Sequence, residues 1–284
     1  YIYKKIKMDF LQILWDPASD GIRLFGDYKV HYYSLMWILA FILGYRIMKK
    51  IYKNENQSEE KLESLFMYSV LGIMIGARLG HVIFYQPELF KEDFFSVFLP
   101  FKFSGGIDFT GFRGLASHGA TIGMITSMYI YNKKVLKKSV LWILDRVVIA
   151  CASGAIFIRV GNFFNSEIIG KPAEEGLPWA VVFKNIDNIP RHPGQLYEAF
   201  GYLFVFLIVY FIYWKTKKGM QEGYLFGLFL LLLMTVRVFV EQFKIAQVDG
   251  REDFILGLNT GQVLSIPFII IGLYYMFIYK SKNM

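Results

Sequence analysis

The chain of 284 residues is 55% hydrophobic and 18% aromatic, carries a formal net charge of +8 and has a mean hydropathy of +0.39. A soluble domain is about 45–50% apolar, whereas here the excess is gathered into blocks of roughly 18–24 residues, the length that crosses a bilayer core. An ordinary soluble fold is therefore excluded, and the single cysteine, Cys151, excludes an internal disulfide and a cysteine metal cluster.

In chain order, the apolar blocks predict spans at about 32–48, 64–86, 116–131, 140–158, 195–214, 224–241 and 262–279. The first long apolar run comes too late for a cleavable signal. The expected fold is an all-α membrane protein, a polytopic bundle of seven transmembrane helices. Residues 1–284 are expected to form a single integral membrane domain, with a small head on one side at about 159–194. The loop at 87–115 alternates aromatics and glycines, as an arm on the membrane surface would.

The short connections are lysine-rich. Lys49, Lys50, Lys53 and Lys61 follow the first span; Lys133, Lys134, Lys137 and Lys138 follow the third; Lys215, Lys217 and Lys218 follow the fifth; Lys280 and Lys282 end the chain. The longer segments on the other side are roughly threefold poorer in basic residues per position. Short basic loops stay in the cytoplasm, so the C-terminus is expected inside and the N-terminus outside. The same distribution assigns the net charge to topology and lipid headgroups, leaving no case for nucleic acid.

Four arginines fall inside predicted spans. Arg46 and Arg146 lie near cytoplasmic ends, where their side chains are expected to snorkel. Arg78 and Arg237 lie towards the outer halves, where an unpaired charge costs several kcal/mol and marks a functional site.

The remaining unusual polar groups gather at outer ends. Tyr33 opens the first span and His118 the third. Arg159, Asn162, Asn165, Glu167 and Gly170 follow the fourth; His192, Gln195, Tyr197 and Glu198 open the fifth. Arg237 and Glu241 close the sixth, and Gln262 opens the seventh. One polar cavity near the outer leaflet follows. Arginine grips phosphate in a bidentate, charge-assisted way, and glycines let backbone approach, so a phospholipid is the expected ligand. Glu167 and Glu241 would hold the arginines or act as bases. His118 precedes Gly119 and Gly123, which leave its imidazole approachable, and histidine is the natural neutral-pH base. No zinc-protease or serine-hydrolase pattern is present.

These residues carry a resemblance. "RVGNFFNSEIIGKP" resembles the signature R-x-G-N-F-x-N-x-E-x-x-G of the prolipoprotein diacylglyceryl transferase family. "RHPGQLYEAF" is similar to its HPSQLYE block, with Gly194 in place of serine; "RVFVEQF" and "GLNTGQVLSIP" resemble its blocks around the last two spans. "HYYSLM", "SHGATIG" and "GARLGHVIFY" resemble three earlier blocks, with Ser34, Ser117 and Ala120 as departures.

The resemblance implies transfer of the diacylglyceryl group of phosphatidylglycerol to the lipobox cysteine thiol of a bacterial prolipoprotein, giving a thioether and releasing glycerol phosphate. It implies a multi-pass protein of the inner membrane, with a periplasmic head and no metal or cofactor. Its partners are phosphatidylglycerol, signal peptides carrying a lipobox cysteine, and the bilayer. On this reading His118, or in its place Glu167 or Glu241, takes the thiol proton, and Arg159 and Arg237 stabilise the leaving phosphate. Asn162, Tyr33, Arg78, Asn165 and Gly170 bind the lipid with them. His192, Gln195, Tyr197, Glu198 and Gln262 are structural or gating residues. The alternative from another class is a transporter or flippase of anionic phospholipid, which shares buried arginines but calls for an inverted repeat.

Overall fold

A computed structural model describes residues 13–16, 21–25, 28–99, 101–103, 105–109, 116–245 and 257–280. In chain order the elements are β1 (Ile13–Trp15), β2 (Gly21–Phe25), β3 (Tyr28–His31), α1 (Tyr32–Asn54), α2 (Glu59–Tyr85), α3 (Leu89–Glu92), α4 (Phe94–Phe98), β4 (Phe101–Lys102) and β5 (Asp108–Phe109). They continue with α5 (Ser117–Tyr131), α6 (Val140–Phe164), β6 (Val181–Phe183), β7 (Pro190–Arg191), α7 (Gly194–Lys215), α8 (Tyr224–Glu241) and α9 (Thr260–Leu273).

Every predicted apolar stretch is helical. Among the described residues, five helices are long and apolar enough to cross a membrane: α2, α6, α7, α8, and α9 with its π-helical extension to Ile278. Two others differ for readable reasons. Helix α1 carries Arg46, Lys49, Lys50 and Lys53 in its second half, and α5 has 15 residues, about 22 Å of rise.

The chain folds as two compact units, one of residues 1–47 and 144–284, the other of 48–143. In the first unit, α7 shows how a membrane sequence distributes its faces. Phe200, Phe204, Leu207 and Phe211 are exposed at helical spacing, while Gln195, Glu198, Tyr202, Val205 and Val209 are buried on the opposite stripe. The polar groups face inward and the greasy ones outward, the reverse of a soluble helix.

Helix α8 starts after Gly223, whose φ of 84° supplies the left-handed turn. Asp145 of α6 caps that start, accepting from Gly223 N at 2.7 Å and Phe226 N at 2.8 Å. Arg146 beside it is 2% exposed and 3.8 Å from the Asp145 carboxylate. This corrects the snorkelling expectation: Arg146 is sealed inside and paired.

The helices are joined by short strands, a departure from a purely α fold. β1 pairs in parallel with β6, and β6 pairs antiparallel with β7. This three-stranded sheet rests on a small core of Phe163, Val181 and Phe183, with Trp15, Ile169 and Leu196 packed against it. β2 and β3 form a hairpin, as do β4 and β5. Near β7, Arg191 donates to Asp187 from Nη2 at 2.5 Å, and this bond holds the Asp187 carboxyl below the usual carboxylate range.

In the second unit, α2 and α5 meet along a glycine seam. Gly72, Gly76 and Gly80 face Gly119, Gly123 and Ser127, so close that a Cβ at Gly80 would stand 2.7 Å from the Gly119 Cα. Small residues every fourth position allow such backbone contact in membrane helices. Gly119 and Gly123, read in the sequence as opening access to His118, are thus used to pack α2. The short helices of the 87–115 segment carry exposed Phe94, Phe95 and Phe98, and Asp93 orders it by accepting from Ser96 N and Phe103 N. Residues 100, 104 and 110–115 lie outside the described residues.

Candidate functional site

The signature stretch 159–170 folds as the last turns of α6 and a tight loop. Ser166 and Ile168 both take positive φ, 53° and 56°. For a β-branched residue that is a costly conformation, and such strain gathers at functional sites. Glu167 sits between the two, its carboxylate accepting from Asn162 Nδ2 at 2.9 Å and Asn165 Nδ2 at 3.0 Å. Gln195, fully buried at the start of α7, donates to the Glu167 carbonyl at 2.6 Å. Asn162 passes the constraint on: its Oδ1 accepts from Arg159 Nη1 at 3.2 Å. The asparagines thus align the carboxylate, and the carboxylate aligns the asparagine that steers Arg159.

From Arg159 a chain of charges runs through buried groups. Its Nε stands 2.9 Å from Glu198 Oε2, and its guanidinium lies over the Tyr202 ring, 5.9 Å from the centroid. The Tyr202 hydroxyl donates to Glu198 Oε1 at 3.4 Å. Lys244 joins Glu198 at 3.3 Å to Glu241 at 2.8 Å. Arg237 follows, its Nε 3.6 Å from Glu241 Oε1 and without a hydrogen bond among the described residues. Glu198 is 0% exposed and Lys244 3%. Taking such charges out of water is costly unless they pair. Among the described residues, Arg159, Lys244 and Arg237 against Glu198 and Glu241 leave one positive charge uncompensated.

Arg159 and Arg237 line the same cavity, of about 270 Å³, together with Ala155, Ile158, Tyr202, Leu233 and Met234. A lining of two arginines and four aliphatic or thioether side chains suits a ligand with an anionic group and an apolar chain. Among the described residues no cluster of histidine, cysteine and carboxylate side chains is built for a metal ion.

The end of α8 and the start of α9 complete the cluster. Asn259 caps α9 in a capping box with Gln262, and Gln262 also donates to the Val238 carbonyl at 3.2 Å. Asn259 reaches the Glu241 carbonyl at 3.2 Å. Gly261 has no side chain because the Glu241 carboxyl lies there; a Cβ would come 2.5 Å from its Cδ.

The other predicted residues have the following places. The Tyr33 ring lies on the α6 backbone at Gly161, where a Cβ would stand 2.7 Å from Cδ2. Gly170 packs under His192, accepts from Arg191 Nη1 at 3.2 Å, and bridges to Lys244. His192 Nδ1 meets the Tyr197 hydroxyl at 3.1 Å, Tyr197 accepts from Trp179 Nε1, and both rings pack on Phe243. Arg78 belongs to the second unit and donates to the Ser96 and Val97 carbonyls at 2.6 and 3.1 Å, closing the end of α4. His118 lies in the first turn of α5, and its side chain lies outside the described residues.

Sequence reasoning missed Tyr202, Lys244 and Asn259. Tyr202 follows Glu198 by four residues, one helical turn along the same face, and Lys244 follows Glu241 by three. Those spacings were the available signals.

Comparison with known proteins identifies the family. The family model described as prolipoprotein diacylglyceryl transferase matches residues 21–278. The phosphatidylglycerol--prolipoprotein diacylglyceryl transferase of Bacteroides fragilis is 43% identical over 275 residues, 96% of this chain and 97% of its own length. Proteins of the same name from Chloroherpeton thalassium and Porphyromonas gingivalis are 38% and 37% identical, covering 93% and 95% of both chains. By matching that family over most of its length, the chain belongs to the prolipoprotein diacylglyceryl transferases.

Proposed function

We propose that the protein transfers the diacylglyceryl group of phosphatidylglycerol to the cysteine thiol of a prolipoprotein lipobox. The observation that carries this reading is the cavity shared by Arg159 and Arg237, in a chain whose relatives bear the name of that reaction. The thiolate sulfur attacks the glycerol carbon that bears the phosphate. The S–C bond forms, the C–O bond breaks, and glycerol phosphate leaves with both electrons of that bond. The departing phosphate grows from one negative charge towards two, so cations already in place lower the barrier. Arg237, with its Nε unbonded, and Arg159, steered by Asn162 and Glu198, supply them. The apolar wall of Ala155, Ile158, Leu233 and Met234 takes the start of the acyl chains.

A free thiol is mostly protonated at neutral pH, and His118 is assigned as its base. Glu241 is tied to Lys244 and Glu167 to two asparagines, which makes them poorer choices. Tyr33, Arg78, Asn165 and Gly170 complete the lipid-binding set. His192, Gln195, Tyr197, Glu198 and Gln262 hold the loop and the charge line together.

The chain acts as a single integral membrane domain of the bacterial inner membrane with seven spans. Its N-terminus and the 159–194 head face the periplasm, and its C-terminus faces the cytoplasm. The short lysine-rich connections support this orientation. Nothing in the comparisons favours a transporter or flippase.

The test uses purified protein, phosphatidylglycerol vesicles and a lipobox peptide, with the diacylglyceryl adduct read by mass. Arg159→Ala is expected to fold and to lose transfer by about a thousandfold or more; parent-level turnover would overturn the reading. His118→Gln is expected to lower the rate and flatten its pH profile, and an unchanged profile would pass the role of base to a carboxylate.

A further inference from the structure

Lys244 has no part in the chemistry above, yet it is the group on which the charge line turns. Its ammonium lies 2.8 Å from Glu241 Oε1 and 3.3 Å from Glu198 Oε1. Each carboxylate also faces one of the cavity arginines. Without Lys244, two arginines would meet two carboxylates and the buried set would be neutral. Each guanidinium would then be claimed by its own glutamate. With Lys244 shared between the carboxylates, one positive charge among the described residues is left for a ligand, and a phosphodiester carries one negative charge.

The stem of Lys244 occupies a space that only glycine leaves open. A Cβ at Gly194 would stand 2.9 Å from Lys244 Cγ, closer than side chains pack. Cγ is not a free end able to swing aside. The ammonium is held at one end, and the backbone is held by bonds from Lys171 N to Phe243 O at 2.8 Å and Ile245 N to Ile169 O at 3.3 Å.

We propose that Lys244 is a positioning and specificity-determining residue, seated by Gly194, that shares Glu198 and Glu241 with the arginines and gives the pocket its net positive charge. The inference rests on reading this cavity as the headgroup site. It predicts a preference for an anionic diester with an uncharged headgroup over a zwitterionic lipid, whose headgroup ammonium the pocket repels.

The experiment uses the full-length protein in vesicles of phosphatidylglycerol diluted with phosphatidylcholine, following KM for the anionic lipid and kcat separately. Transfer by the parent is the control, and its absence would sink the functional reading rather than this one. Lys244→Met is expected to raise KM about tenfold or more and to lower kcat, and Lys244→Arg to restore most of both. Gly194→Ala is expected to cost several-fold in the parent and nothing further beside Lys244→Ala, which has no Cγ for the new methyl group to meet. Should Lys244→Met not fold, Gly194→Ala decides alone: folded protein with a raised KM supports the proposal. Parent-like kinetics of Lys244→Met or of Gly194→Ala, or an equal cost of Gly194→Ala in both backgrounds, would overturn it.

Discussion

Helix α6 carries two buried charge clusters about 21 Å apart along its axis, and they do different work. At one end Asp145 and Arg146 are 0% and 2% exposed, and both Asp145 oxygens are filled by the N–H groups that open α8. At the other, Arg159 joins a line of five charges that ends at Arg237, 36% exposed and unbonded at Nε, on the wall of a cavity. The first cluster is a staple and the second a site. The difference lies in what is left over, since Asp145 and Arg146 balance each other's charge and the second cluster, among the described residues, retains a positive charge beside a cavity. A charge in a membrane helix marks a function only when its partners leave it incomplete.

The largest effect expected from this contrast is the loss of transfer on removing either cavity arginine. Arg237→Ala should match Arg159→Ala in the vesicle assay, with both proteins still monodisperse in detergent. A large loss for one and none for the other would break the idea of a shared ligand. An intermediate effect is expected for Glu198→Gln, which weakens the hold on Arg159 and Lys244 together. Transfer should fall by about ten- to a hundredfold, with a lower unfolding temperature. Asp145→Asn should reverse the balance. One of two backbone N–H groups loses its charged acceptor, costing about 1–3 kcal/mol of stability, while each folded molecule keeps most of its turnover. Equal losses of kcat for Glu198→Gln and Asp145→Asn would erase the distinction between staple and site.

The smallest effect concerns the head. The Asp187 carboxyl is held below its ordinary range by Arg191. A carboxyl depressed in the folded state stabilises above its unfolded pKa, about 4, and the contribution fades as pH falls through the lower folded value. Proteolysis of the 170–193 segment should therefore be flat from neutral pH to about pH 5. An Asp187→Asn variant that is unchanged across the acid range would remove the ion pair from the account.

The sequence made the helices legible because lipid imposes length and hydrophobicity on every span, and the lysine-rich loops punctuate them. Arg159 and Arg237 stood out as charges in or beside apolar runs. Glu241 was read as holding an arginine or acting as a base, and the structure places it 3.6 Å from Arg237. Glu198 was read as structural or gating, and it turns out to join two cations. Lys244 stayed hidden because a lysine just past the end of a span reads as a solvated loop residue. Tyr202 was one of 19 tyrosines. The β1–β6 pairing joins Ile13 to Val181 across most of the chain, and no local pattern encodes such a contact. Gly72, Gly76 and Gly80 had the spacing of a packing seam, but their partner on α5 becomes visible only in three dimensions.

A structure of the protein with bound phosphatidylglycerol, or with a non-cleavable phosphonate analogue, tests the central claim most directly. The headgroup oxygens are expected within about 3 Å of both the Arg159 and the Arg237 guanidiniums, with the acyl chains leaving past Ile158 and Leu233. A headgroup bound elsewhere, or touching one arginine while the other keeps to its glutamate, would contradict it.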